Sequence, residues 1–288
     1  FYVNQATGSD TLDTGRGESA SKPFKTIQAC ANYVSSNYNV GNYIVSIIVS
    51  SGTYEEKLTL GSYSRTSGYI IIQAATNETV TISTENGNLV SIRSNSVWYI
   101  RNINIIHNIY SPNNGIANFF HTISVGTNST ANLTGCTIKT EYSGESPSSG
   151  TATIRMFHAG NSSQLSLCLY SNESSIEYHK GNANWLYVFF ADGGGTIRIE
   201  GSNDSSVEGE ITVFGECTSF AMASGGSIFV NSSYLVDPVF TVPGDKSATG
   251  KRYEATSGGT INTGGQGTEY FPGDSAGTVE TASYSWYK

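Results

Sequence analysis

Charged residues are scarce in this sequence. They make up 13% of the 288 residues, against about a quarter in an average soluble domain. Lysine and arginine total 15 and aspartate and glutamate total 23, which gives a net charge of −8, and the basic residues form no cluster. Because binding to a phosphate backbone needs a concentrated positive surface, we do not expect nucleic acid to be a partner.

Long apolar runs are missing as well. A helix that crosses a membrane needs about 18 or more consecutive apolar residues, whereas the best candidate run, Ile44 to Val49, is interrupted by Ser46. We therefore expect no membrane insertion. The chain also starts without methionine and without a charged and then apolar leader, which we interpret as the start of a processed product or a fragment.

Cysteine is rare, and its spacing does not indicate a functional site. The four cysteines (Cys30, Cys136, Cys168 and Cys217) include no Cys-x-x-Cys pair, and so few in a chain of this length do not indicate a disulfide framework. We predict four buried thiols, no metal site and no cofactor.

Small polar residues are present in excess. The chain contains 41 serines, 30 threonines, 24 asparagines and 32 glycines, a composition that disfavours helical bundles and coiled coils. Hydrophobic residues still reach 38%, with 18 tyrosines and 12 phenylalanines, which is too apolar for a disordered chain. The length lies within the range of one all-β barrel or solenoid, so we expect a single elongated, largely β domain.

An internal repeat organises the middle of the chain. Asn95, Asn128, Asn161 and Gly194 are each 33 residues apart, each leads into a short run of alternating apolar residues, and a fifth copy starts near Gly226. An aromatic strand end precedes each later corner, which indicates that each repeat is strand, turn, strand.

The composition of the repeats decides between two kinds of solenoid. Ankyrin and tetratricopeptide repeats have a similar length, but they need two amphipathic helices per unit. Here the runs alternate, as in residues 165–169 (Leu-Ser-Leu-Cys-Leu). Stacked strands of this kind pair in parallel about 4.8 Å apart and point their apolar side chains into a shared interior. The sequence therefore predicts an all-β fold, a parallel β-helix with one rung per repeat.

The open ends of a solenoid must be covered to prevent end-to-end pairing. From Ser21 to Ser36 apolar residues recur every three or four positions, which predicts an amphipathic helix over the first rung. After Pro238 the sequence becomes glycine-rich and ends in aromatic residues, which predicts a second cap. We divide the single domain into residues 1–42 (strand and capping helix), 43–237 (rungs) and 238–288 (C-terminal cap).

Both ends of the chain resemble known proteins. Residues 1–4 (Phe-Tyr-Val-Asn), 22–29 (Lys-Pro-Phe-Lys-Thr-Ile-Gln-Ala) and 52–54 (Gly-Thr-Tyr) resemble the opening of pectin-lyase-like right-handed parallel β-helix proteins. Residues 252–278, with Phe271-Pro272-Gly273, are similar to the C-terminal end of tail-spike and tail-fibre proteins of phages and prophages of gut bacteria. The resemblance implies a right-handed solenoid, a location on a virion tail or a bacterial surface, and a possible homotrimer.

The expected function follows from this resemblance. We expect a tail-spike or tail-fibre module that binds a bacterial surface polysaccharide. The motifs of pectin methylesterases, polygalacturonases and pectate lyases are absent. A polysaccharide depolymerase, either a lyase or a glycoside hydrolase, remains the first alternative, and a structural spacer the second.

Candidate catalytic residues come from the later rungs. Glycoside hydrolysis needs two carboxyl groups about 5 to 9.5 Å apart, and acidic residues are absent from residue 86 to residue 140 but frequent afterwards. His121, His158 and Asp192 each follow an aromatic strand end, and together they would form a column that serves as general acid/base or binds a cation. The catalytic candidates are Glu177, Asp192, Glu208 and His158.

Aromatic rings on the surface of a solenoid can stack on sugars. The carbohydrate-binding candidates, chosen by position along the repeats, are Trp98, Tyr99, Tyr142, Tyr178 and Trp185. Arginine is rare here, and a lyase would use a cation to hold a uronate, so Arg93, Arg101, Arg155 and Arg198 are further candidates.

Overall fold

The computed structural model describes residues 1–93, 95–110, 118–144, 152–168, 174–201, 210–231 and 236–288. Strands dominate this part of the chain and wind into about six turns of a parallel β-helix, which confirms the predicted fold class. Each central turn contains three strands rather than the predicted two. We call the three parallel sheets that they build face A, face B and face C, and number the strands in chain order.

Face A is a ten-stranded sheet. Its strands are β1 (Tyr2–Val3), β2 (Ile44–Val49), β5 (Tyr69–Ala74), β8 (Val97–Arg101), β11 (Thr130–Thr134), β14 (Gln164–Cys168), β17 (Thr196–Glu200), β19 (Ser227–Asn231), β22 (Thr260–Asn262) and β24 (Trp286–Tyr287).

Faces B and C follow face A in each turn and are joined through the long strand β18 (Glu210–Ser224). Face B contains β3 (Gly52–Glu55), β6 (Val80–Glu85), β9 (Asn104–Ile109), β12 (Thr137–Tyr142), β15 (Ser175–His179), the first part of β18 and β20 (Val239–Thr241). Face C contains β4 (Leu58–Leu60), β7 (Val90–Ile92), β10 (Asn118–Val125), β13 (Ala152–Ala159), β16 (Trp185–Asp192), the second part of β18, β21 (Ala248–Thr256) and β23 (Thr278–Val279).

The predicted repeat sets the register of the rungs. On face A the pairing aligns Val97, Thr130, Gln164, Thr196, Ser227 and Thr260, so successive turns are 31 to 34 residues long. The corner before each of these strands is left-handed: Asn95, Asn128 and Asn161 have φ of 58°, 52° and 51°, and Gly194 has 78°. Asparagine and glycine adopt this conformation more readily than other residues, which explains why they recur at the corner.

The interior is built from side chains that alternate along every strand. On face A one inward column runs through Trp98, Ala131, Leu165, Ile197, Ile228 and Ile261, all of which are buried. The apolar residues of the other two faces close the same core. The opposite set of each strand points outward, and functional groups on the outer surface therefore come from every second residue.

Helix α1 (Ile27–Asn37) begins six residues later than the sequence predicts. Phe24 is held in an extended bridge to Val3, and Thr26 then caps the helix by accepting a hydrogen bond from the Ala29 amide. The Glu56 carboxylate accepts from the amides of the first two helical residues, 2.9 and 2.8 Å away. Such partners satisfy the free amides of a helix start. The helix buries Ile27, Cys30, Ala31 and Val34.

At the other end Phe240 and Phe271 pack on Phe220 and on each other, and Tyr270 packs on both of them, with ring centroids 5.2 to 5.9 Å apart. A short 3₁₀ turn (Thr281–Ser283) precedes the last strand. All four cysteines are free and buried, as the sequence predicts.

Candidate functional site on face C

The structure does not bring the predicted carboxylates together. Glu177 lies on β15 of face B, Asp192 lies at the end of β16 on face C, and Glu208 lies outside the described residues. Glu177 is bound by Lys139 Nζ at 2.8 Å and by His179 Nε2 at 2.8 Å. Although burial raises the pKa of Glu177, these two partners hold it below its usual range. Glu177 and Asp192 therefore do not form a glycoside-hydrolase pair on one face.

His158 and Asp192, in contrast, meet on face C. His158 Nε2 lies 3.2 Å from Asp192 Oδ1, and Arg155 contacts the other carboxylate oxygen at 3.3 Å. The register places His158 opposite Phe190, so the Asp192 side chain must reach back by one rung. Gly160 makes room for it, because a Cβ atom at Gly160 would lie 2.6 Å from Asp192 Oδ1.

The charge on Asp192 determines which nitrogen of His158 faces it with an N–H. Burial raises the pKa of Asp192, but the hydrogen bond from His158 and the nearby positive charges outweigh it and lower that pKa. An ionised carboxylate only accepts hydrogen bonds, so His158 Nε2 carries the proton. In the neutral imidazole the other ring nitrogen, Nδ1, is the acceptor, and it faces the hydroxyl of Ser124, whose Oγ lies 3.2 Å away.

His121 lies against this group. Its ring stacks on that of His158, with centroids 4.6 Å apart and 20° between the planes. Burial, together with the nearby His158 and Arg155, lowers the pKa of His121 to about 3, so the ring is neutral at pH 7. Neither ring nitrogen has a hydrogen-bond partner among the described residues. A buried donor without a partner is costly, and it is the kind of group that a ligand oxygen satisfies.

A cleft of about 330 Å³ opens beside these residues, and its lining includes Ser91, Arg93, His121 and Ser124. Ser91 and Ser124 occupy the same register position on adjacent rungs. The hydroxyl of Ser124 therefore lies between the cleft and the imidazole of His158.

Exposed aromatic rings flank the charged group. Phe119 and Trp185 are 54% and 40% exposed, and both are in register with Thr153, which lies on the rung between them. The guanidinium carbon of Arg155 lies 3.9 Å from the ring centroid of Phe190 and 5.1 Å from that of Phe119. We call Phe119, Ser124, Arg155, His158, Trp185 and Asp192, together with His121, the face C cluster.

The predicted carbohydrate-binding residues fall into two groups. Trp98, Tyr142 and Tyr178 are 0%, 3% and 0% exposed. Their rings belong to the core and offer no face to a sugar, so they leave the candidate set. Tyr99 is half-buried on face A and stacks on Tyr69 at 4.0 Å, and Trp185 is exposed within the face C cluster.

Two members of the cluster have a weak sequence signal. Phe119 belongs to the double phenylalanine that marks the end of a strand, and the alternation of a strand exposes one ring of such a pair. Ser124 is one of 41 serines, and only the three-dimensional register distinguishes it.

The described residues contain neither a metal-binding group nor a membrane-spanning helix. No group of three or more His, Cys, Asp or Glu side chains among the described residues could hold a metal ion. In the same part of the chain, no helix combines the length and hydrophobicity needed to cross a bilayer. No known protein family matches the chain, and searches of curated proteins and of solved structures returned no match.

Proposed function

We propose that the protein binds a bacterial surface polysaccharide, and that the face C cluster is the binding surface. The observation that carries this proposal is the pair of exposed rings, Phe119 and Trp185, in register two rungs apart. Two strand spacings correspond to roughly 10 Å, a span that accommodates more than one sugar ring. Stacking on an aromatic ring is favourable because it buries apolar surface. The C–H faces of sugar rings present such apolar surface.

Polar groups between the two rings would orient the ligand. Arg155, His121 and Ser124 lie on the rungs that Phe119 and Trp185 bracket or on the same strands. A binding site typically combines apolar walls with a few such groups that give specificity. A solenoid also presents an extended surface, which suits a polymer better than a small molecule.

The biological setting belongs to the same proposal. We propose a tail-spike or tail-fibre module on a virion or a bacterial surface, assembled as a homotrimer. The resemblance at residues 1–54 and 252–278 supports this setting.

The test is retention of the chain on immobilised capsular polysaccharides and lipopolysaccharides prepared from gut bacteria. We expect Trp185→Ala and Phe119→Ala to weaken retention on the bound glycan by about tenfold, equivalent to roughly 1.4 kcal/mol. Tyr99→Ala is the matched control, because it removes a half-buried stacked ring from face A. A loss with Tyr99→Ala but not with Trp185→Ala would overturn the assignment to face C.

Size analysis of the glycan in the same experiment separates binding from depolymerisation. Retained and intact chains are the expected result for a binding module. Shortened glycan chains would replace the proposal by the depolymerase alternative. If no preparation retained the protein, the structural spacer would be the remaining alternative.

A further inference from the structure

We propose that the face C cluster also contains a serine esterase centre, in which Ser124 is the nucleophile, His158 the general base and Asp192 the residue that orients the base. The choice of substrate, an O-acylated surface polysaccharide, rests on the proposed function. The reaction itself rests on the geometry of the three side chains.

The three residues form one continuous hydrogen-bonded chain. They come from consecutive rungs of face C, on β10, β13 and β16, and Ser124 and His158 share one register position. Ser124 Oγ lies 3.2 Å from His158 Nδ1, and His158 Nε2 lies 3.2 Å from Asp192 Oδ1. A nucleophile, a base and a third group within hydrogen-bond reach define an activated serine on any fold.

The protonation states agree with this assignment. Asp192 is ionised, so the proton on His158 sits on the nitrogen that faces the carboxylate. In the neutral imidazole the lone pair of Nδ1 then faces the Ser124 hydroxyl, as a general base requires. Arg155 binds the second carboxylate oxygen and leaves Oδ1 for the imidazole.

The site also provides access and a donor for the developing negative charge. The cleft beside Ser124 has about 330 Å³, enough for a small acyl group and the sugar oxygen that bears it. His121 and Arg93 line the same cleft. His121 is neutral and therefore carries one N–H, which has no partner among the described residues. We assign the Arg93 guanidinium to the carbonyl oxygen of the ester, because both His121 ring nitrogens are enclosed by the protein.

The reaction is a hydrolysis with a covalent intermediate. Ser124 Oγ attacks the ester carbonyl carbon and its proton passes to His158 Nδ1. The bond from that carbon to the sugar oxygen breaks, His158 returns the proton to the sugar oxygen, and an acyl-Ser124 remains. Water, deprotonated by His158, then attacks the acyl carbon and releases the carboxylic acid and free Ser124. One ester and one water give one acid and one alcohol, so no redox partner is needed.

The first experiment detects the nucleophile without a glycan. The full chain is treated with a fluorophosphonate probe, which phosphonylates activated serines, and the labelled peptide is identified by mass spectrometry. We expect one adduct on Ser124, no adduct in Ser124→Ala, and at least a tenfold slower adduct formation in His158→Ala. Ser83→Ala, a half-buried serine on face B, is the control and should label as the wild type does. Labelling that persists in Ser124→Ala would overturn the assignment.

The second experiment uses an O-acetylated capsular polysaccharide that retains the chain, with 4-nitrophenyl acetate as a glycan-free ester. We expect Ser124→Ala to release acetate from both at least about 10³-fold more slowly than the wild type, a loss far larger than any change in its retention on the polysaccharide, while its melting temperature stays unchanged. Retention without any acetate release by the wild type would overturn the esterase and leave the proposed function intact. Hydrolysis of 4-nitrophenyl acetate at Ser124 without retention on any glycan would overturn the glycan substrate and support the triad.

Discussion

Two carboxylates of this protein have nearly the same partners on different faces. Glu177 on face B binds His179 and Lys139, and Asp192 on face C binds His158 and Arg155. The two groups differ in what lies on the far side of the imidazole. His158 accepts from Ser124 beside a cleft, whereas His179 is 41% exposed and makes no such contact with a hydroxyl among the described residues.

The comparison shows that a carboxylate–histidine–cation group is not a functional signal by itself. Exposed ion pairs of this kind contribute little to stability, at most about 1 kcal/mol, and they are common on polar surfaces. The group on face C differs because a hydroxyl, an unpaired N–H and two exposed rings come together around it. Function is therefore inferred from the hydroxyl, the unpaired N–H and the exposed rings rather than from the charged pair.

Replacing each carboxylate by its amide tests this distinction most strongly. Asp192→Asn keeps the shape but can donate to His158 Nε2, which moves the imidazole proton to Nδ1 and removes the base. We expect ester hydrolysis to fall by about 10³-fold to 10⁴-fold. Glu177→Gln makes the same change on face B and should leave the rate within about twofold, because Glu177 contacts no reacting group. Initial rates of 4-nitrophenyl acetate hydrolysis measure the effect of both substitutions. Equal losses would contradict a catalytic role that is specific to the face C group.

A smaller effect is expected when the space for Asp192 is filled. A Cβ atom at Gly160 would lie 2.6 Å from Asp192 Oδ1 and 3.1 Å from His158 Nε2, so Gly160→Ala must displace the carboxylate. A misplacement of about 1 Å in a catalytic group can cost about 100-fold in rate, and we expect a loss between tenfold and that value. Gly61→Ala is the matched control, since a Cβ there meets no atom within 4 Å. An unchanged rate in Gly160→Ala would argue that the contact between Asp192 and His158 does not matter for the reaction.

The sequence predicts the rungs well because their corners repeat a backbone requirement. Asn95, Asn128 and Asn161 occupy left-handed corners that few other residues tolerate, and the strands between them alternate. The same alignment predicts that Trp98 is buried, because it shares its column with Ala131 and Leu165. All three side chains are buried in the structure. The repeat alone therefore argues against Trp98 as a carbohydrate-binding residue.

The candidate site is less predictable from the sequence. His121 and His158 stack although the backbone aligns His121 with Arg155, because side chains reach across rungs. Asp192 reaches back over Gly160 in the same way. The separation of Glu177 from Asp192 depends on the third strand of each turn, which puts β15 and β16 on different faces. Such contacts depend on side-chain reach and on the angle between sheets, and the spacing of residues along the chain determines neither.

The smallest expected effect concerns acid stability, and it depends on the burial of His121 in the face C cluster. The folded-state pKa of His121 is about 3, whereas an unfolded histidine titrates near 6.5, or roughly 3.5 units higher. The unfolded chain therefore binds more protons between these values, and the stability from burying neutral His121 is complete above pH 6.5 and declines as the pH falls. Each such histidine contributes a slope of roughly 1 kcal/mol per pH unit in this window.

Melting temperatures between pH 7 and pH 5 measure this slope, because Asp192 and Glu177, whose pKa values are both lowered, stay ionised there. We expect His121→Gln to reduce the fall in melting temperature. Buried His107, with a pKa lowered to about 4 mainly by burial, accounts for part of the slope that remains. Because His158, Arg155, Asp192 and His107 all influence His121, the same titration is repeated in Asp192→Asn. Loss of that carboxylate removes the one partner that favours protonated His121 and so lowers its pKa further. Because folded His121 is already neutral between pH 7 and pH 5, its contribution to the slope should not change, and a shallower slope would contradict the placement of His121 against the cluster.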